Sequence, residues 1–121
     1  MITLSLPYPP SVNNYWIASG HKRFISARGK AFKQAVWLEI VQSKAKSFGD
    51  DLLEVQIDLY PRNKRLMDID NCCKSILDAL QDAGLYNDDK QVYRLVIERK
   101  EIVSGGGAII RVDRYTPLKP E

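Results

Sequence analysis

The run from Leu53 to Tyr60 constrains this chain most. Leu53, Val55, Ile57 and Leu59 alternate with Glu54, Gln56, Asp58 and Tyr60, and Pro61 stops the series. A period of two puts every apolar residue on one face of a strand, and that face must be covered by something else in the chain. The candidates for the cover are two segments of helical period. Ser26 is placed to cap a helix running to about Lys46, with Phe32, Val36 and Ile40 at i, i+4, i+8 and Ala35, Trp37 and Val41 broadening the stripe. A second helix runs from about Ile69 to Ala83 on the stripe Ile69, Cys73, Ile76, Leu77 and Leu80, with Gly84 where a left-handed terminator belongs. Further strands are expected at Ile2–Leu6, from about Val92 to Lys100, and from about Ala108 to Arg114, the last two joined as a hairpin by a flexible loop at Ser104–Gly107. Residues 11–25 read as a polar loop. The expected order is β-α-β-α-β-β: an α+β, two-layer fold with both helices on a mixed four-stranded sheet.

At 121 residues the chain fits one domain, with a tail that frays from about residue 116. A chain this long buries enough surface to fold without a disulfide or a structural metal. Cys72 and Cys73 are adjacent and alone, which rules out an unstrained disulfide between them. A reducing compartment is expected, with Cys73 packing inward and Cys72 half exposed. No stretch approaches the roughly 20 apolar residues of a membrane span. No basic region leads into an apolar leader, so the expectation is a cytoplasmic protein.

Function first shows at Met67-Asp68-Ile69-Asp70-Asn71. Residues two apart in an extended approach point the same way, so both carboxylates can face one side while Ile69 turns inward. Two neighbouring carboxylates repel unless a cation intervenes, and hard oxygen donors describe magnesium or manganese. The competing reading is plain capping of a helix N-terminus. Asp88 and Asp89 lie one helix length on, roughly 20 Å along the axis at about 1.5 Å per residue. They can join Asp70 only if the chain doubles back after Gly84; otherwise Asn87-Asp88-Asp89 is a turn. Lys74 follows Asp70 by four residues on one helix face, as an exposed ion pair or as an ammonium beside a reacting phosphate.

The net charge of +3 identifies no partner, but its distribution is uneven. Lys22, Arg23, Arg28, Lys30 and Lys33 form one basic stretch, and Arg62, Lys64 and Arg65 another. These are solvated faces, or patches that grip a polyanion on either side of the acidic cluster. A single histidine, His21, supports no Ser-His-Asp or Cys-His scheme, and Gly105-Gly106-Gly107 lacks the ending of a phosphate loop.

Taken together these motifs resemble the RusA family of Holliday-junction resolvases over nearly the whole chain. Leu6-Pro7-Tyr8-Pro9-Pro10-Ser11-Val12-Asn13 is similar to the family's opening, and Ser26-Ala27-Arg28-Gly29 to its Ser-x-Glu-Gly helix start, with Arg28 in the acidic place. Arg65 through Lys74 resembles the central motif, Asp78-Ala79-Leu80 through Leu85 continues it, and Asn87-Asp88-Asp89-Lys90-Gln91-Val92 resembles the closing one. The resemblance implies that Asp68, Asp70 and Asp89 ligate Mg2+ (or Mn2+) and that Lys74 is catalytic. It implies a homodimer that cuts four-way DNA junctions with paired nicks in recombination and repair, in a bacterial or phage setting. DNA phosphates would then be held by Arg62, Lys64, Arg65, Lys22, Arg23, Lys30 and Lys33, with Asn13 from the opening. A DNA-binding dimer without catalysis, and a metal enzyme of small phosphates, are the alternatives.

Overall fold

In the computed structural model, residues 1–65 and 68–117 are described, without the side chains of residues 12 and 13. The strands are β1 (Ile2–Leu6), β2 (Trp16–Ser19), β3 (Lys22–Ile25), β4 (Leu53–Tyr60), β5 (Val92–Arg99) and β6 (Gly107–Arg114). The helices are α1 (Val12–Tyr15), α2 (Ala27–Gln42) and α3 (Ile69–Asp82), and a 3-10 turn spans Asp89–Gln91. The fold is α+β, with the two long helices on a mixed four-stranded sheet of order β1-β6-β4-β5.

The alternation along β4 does what its period requires. Leu53, Val55, Ile57 and Leu59 are buried, as are Leu4 and Leu6 of β1 and Ala108, Ile110 and Val112 of β6. Phe32, Val36 and Ile40 of α2 and Ile76 and Leu80 of α3 join them in one core. Both helices therefore cover one face of the sheet. On the other face Asp58 is nevertheless only 4% exposed, with Arg111 Nη1 at 2.8 Å from its Oδ2.

Several expectations change. β5 and β6 are not hairpin partners, because β6 lies between β1 and β4, antiparallel to both. The connection crosses the end of β4, held by Lys100 N–H to Leu59 O (2.7 Å) and Val103 N–H to Pro61 O (2.9 Å). β4 and β5 are parallel, and a parallel pair needs a crossover, which α3 supplies.

α2 stops at Gln42 rather than near Lys46, since Lys44 turns left-handed (φ 55°). Trp37 and Val41 are about half exposed, so the buried stripe is narrower than the apolar residues imply. The two cysteines exchange places: Cys72 is buried and Cys73 is intermediate. α3 is covered on a second side by the proline-rich opening, where Ser75 Oγ donates to Pro10 O (2.7 Å) and the Cys72 thiol lies 3.9 Å from Tyr8 Oη. Finally, residues 11–25 are not a loop. They form α1 and the β2–β3 ribbon, closed by Gly20-His21 with Gly20 at φ +62°.

Candidate active site

α3 begins at Asp68, whose φ and ψ are those of an N-cap but whose side chain makes no capping hydrogen bond. Asp68 and Asp70 are both exposed, while Ile69 between them packs against the core. The capping explanation thus fails for Asp68, and both carboxylates stand at the positive end of the helix.

After α3 the chain reverses through Ala83 and Gly84 (φ 83°). Tyr86 is buried and its hydroxyl donates to Leu77 O (2.6 Å), pinning the return against the helix. Asp88 and Asp89 then divide their labour. Asp88 caps the 3-10 turn by accepting from Lys90 N–H (2.9 Å), and that bond holds its carboxyl below the usual range. Asp89 instead reaches α3: Lys74 Nζ lies 2.6 Å from its Oδ2, and its N–H donates to Gln81 Oε1 (3.0 Å). Lys74 also pairs with Asp78 Oδ1 at 3.0 Å. Asp89 first, then Asp78, raise the pKa of Lys74 above its ordinary 10.5, so the amine is an ammonium at neutral pH.

The chain thus doubles back after Gly84 and brings Asp89 to Lys74, 15 residues earlier in the sequence. Asp68 and Asp70 stand at the start of the same helix. Among the described residues, no three His, Cys, Asp or Glu side chains are gathered closely enough to hold an ion. The donors are of the right kind for a hard divalent cation, being carboxylate oxygens throughout. One oxygen of Asp89 is engaged by Lys74.

The basic residues fall in two places. Lys22 and Arg23 lie on β3 and Lys30 and Lys33 on α2, with Arg23 stacked 4.6 Å over Trp16 and Lys33 paired to Asp82 at 3.5 Å. Arg62, Lys64 and Arg65 are exposed in the loop after β4. Asn13 falls in α1, and its side chain lies outside the described residues. Arg28, the departure from the family's helix start, lines one cleft with Arg62, Tyr8 and Asn14, so two cations distant in sequence share a wall. Ser26 still caps α2, accepting from Gly29 N–H at 2.9 Å.

Sequence reading named Gln91 within the closing motif but gave it no role. Its Oε1 accepts from Asn87 and Asp88 N–H (3.0 and 2.7 Å), and its Nε2 donates to Gly49 and Asp51 O (2.7 and 2.8 Å). It ties the Asp89 turn to the loop before β4. The capping-box spacing Asp-x-x-Gln from Asp88 was the available signal.

An α+β chain with paired carboxylates, an adjacent ammonium and basic flanks has the makings of a phosphodiester-cleaving protein. The sequence profile of endodeoxyribonuclease RusA matches residues 7–113. A crossover junction endodeoxyribonuclease of Enterobacteria phage HK97 is 35% identical over 107 residues, covering 88% of this chain and 89% of that one. The one from Escherichia coli strain K12 is 30% identical over 105 residues (86% and 87%), and that of Enterobacteria phage 82 is 31% identical over 104 (85% and 86%). The chain belongs to the RusA family, a family of DNA-cleaving hydrolases. No helix among the described residues is long and apolar enough to cross a membrane.

Proposed function

We propose that this chain is a divalent-metal-dependent endonuclease that resolves four-way DNA junctions by paired nicks, acting as a cytoplasmic homodimer in recombination and repair. The observation that carries this reading is the contact of Lys74 with Asp89, which brings the closing motif back to the helix that opens with Asp68 and Asp70. The family relation supports the substrate, since the relatives named above are crossover junction endodeoxyribonucleases. One small domain offers one such face, so cutting two strands in concert calls for two copies.

Asp68, Asp70 and Asp89 would hold Mg2+ or Mn2+, which when bound supplies a polarised phosphate and an activated water. The remaining work belongs to the chain's own residues. Arg62, Lys64 and Arg65, with Lys22, Arg23, Lys30 and Lys33, hold backbone phosphates without reading bases. Asn13 belongs to the same surface on the family pattern alone. Lys74 carries its proton throughout and stabilises negative charge as it builds on the phosphate or the leaving oxygen.

The test is a synthetic immobile four-way junction incubated with and without Mg2+. Paired, symmetric nicks that need the metal are expected, and Asp70→Asn should keep binding while abolishing cutting. Tight binding with no nicks under any divalent metal would mean a DNA-binding protein without catalysis. Hydrolysis of a small phosphate ester with the junction left intact would mean a different substrate class.

A further inference from the structure

The β2–β3 ribbon belongs to none of the machinery above except through its cations. Among the described residues it pairs with no other strand. A two-stranded ribbon is marginal alone, so one of its faces must be anchored. Trp16 and Ile25 are cross-strand partners on that face and pack against the core. The root is fixed to α2 by Ser26 N–H to Tyr15 O (2.8 Å) and by the contact of Ser26 Oγ with Asn14 O.

The opposite face is different. Ile17 and Phe24 are register partners there, each 51% exposed. Two large apolar side chains held side by side in water contribute little to the fold. Cations outnumber carboxylates around them: from Met1 to Leu38 the chain has no Asp or Glu, but it has Lys22, Arg23, Arg28, Lys30 and Lys33, of which Lys33 is paired to Asp82 of α3. A second copy docked on this face would bring like charges together. A polyanion with an apolar interior fits both features at once, and a nucleic acid is one where its base stack is opened. The ribbon's root also stands beside the helix that carries Lys74, since α1, which leads into β2, packs against α3.

We propose that Ile17 and Phe24 form an apolar wedge that enters the base stack of DNA where strands part, while the neighbouring cations hold the flanking phosphates. This rests on the junction-binding reading and adds a means of recognising a branch point rather than plain duplex. Insertion of apolar side chains between base steps unstacks them and bends the helix.

The experiment uses the full chain with a four-way junction carrying 2-aminopurine at the crossover, in EDTA so that the DNA stays whole. Binding of the wild-type protein should raise the fluorescence severalfold, and a linear duplex of the same sequence should show no rise. The I17S/F24S variant should lose the rise and bind the junction roughly tenfold more weakly. Phe24→Leu, which keeps an apolar group, should retain most of the rise. If wild type binds the junction with no rise in EDTA yet nicks it in a parallel reaction with Mg2+, or if I17S/F24S keeps the rise, the wedge is wrong while the resolvase reading stands. If wild type neither binds nor nicks, both fall. Conversion of a dimer to a monomer by I17S/F24S in sedimentation would overturn the wedge in favour of an interface between copies. Binding of phosphatidylserine vesicles that depends on Phe24, without a junction signal, would overturn it in favour of a lipid surface.

Discussion

Replacing Gln91 by Leu tests whether the second acidic motif is held in place by one buried amide. Gln91 is 9% exposed and makes four hydrogen bonds, two accepted and two donated. Leucine is close in size, so the change deletes polar contacts more than packing. A typical intramolecular hydrogen bond contributes about 0.5–1.5 kcal/mol net, so four of them amount to about 2–6 kcal/mol. Water can reach part of this loop, and Gly49 O keeps the N–H of Asn87 at 3.2 Å, which pulls the expectation toward the lower half. We expect Gln91→Leu to lose about 2–4 kcal/mol in urea unfolding, with the m-value unchanged. In buffer the variant should still be mostly folded, because domains of this size commonly have about 5–15 kcal/mol to draw on. Its single-turnover nicking should nonetheless fall about 10- to 100-fold, since Asp89 would no longer be aimed at Lys74. A loss below about 0.5 kcal/mol, or full nicking activity in a variant destabilised as expected, would refute the role assigned to this side chain.

Lys74→Met should change stability by less than about 1 kcal/mol, the lysine being half exposed, yet slow single-turnover nicking by about 100- to 1000-fold with junction affinity retained. Because Asp89 and Asp78 raise the amine's pKa, whatever stability it contributes is fully present below pH 10.5 and is lost only as pH rises through the higher folded value. A Lys74-dependent fall in melting temperature between pH 7 and 9 would contradict this. Asp88→Ser keeps a capping oxygen and should retain nicking, whereas Asp89→Asn should lose it in a folded protein; equal losses in gel-based nicking assays would erase the distinction drawn between them. Gly29→Ala should destabilise the chain by about 2–3 kcal/mol in thermal unfolding, because a Cβ there would stand 2.5 Å from Tyr15 O and 2.8 Å from Ile25 Cγ1, and the carbonyl cannot step aside. A neutral Gly29→Ala would mean that the ribbon's root is looser than these distances imply.

What was legible in the sequence follows from what one-dimensional periodicity can carry. The alternation of β4, the stripe at Phe32, Val36 and Ile40, and the cap at Ser26 are local properties, and each is found where its spacing put it. Strand order is not local. β5 and β6 are consecutive and separated by a glycine-rich turn, which is also the signature of a hairpin. What separates them is β4, which takes β6 on one edge and β5 on the other. The swap of Cys72 and Cys73 has the same origin: a stripe drawn for one covering layer misplaces the boundary of a helix covered on two sides, here by the sheet and by Pro10. The ribbon was hidden because its strands are only four residues long and one face is apolar without being buried.

The site divides along the same line. That Asp68 and Asp70 would face outward around an inward Ile69 needed only the alternation of neighbouring residues. That Asp89 would come to Lys74 could not be read from spacing, since a helix of 14 residues carries the chain away from its own start. The return depends on Gly84 reversing the chain, on Tyr86 anchoring it to Leu77 and on Gln91 fixing the turn to the loop before β4. None of these three residues carries charge to a phosphate, and each acts by deciding where a carboxylate stands. Asp88 and Asp89 make the point sharply. They are the same amino acid side by side, yet one is spent on the turn's own amide while the other faces an ammonium on a helix 15 residues earlier. Chemistry at this helix face is therefore a property of the crossover from β4 to β5, and substitutions that loosen that crossover should lower activity before they unfold the sheet.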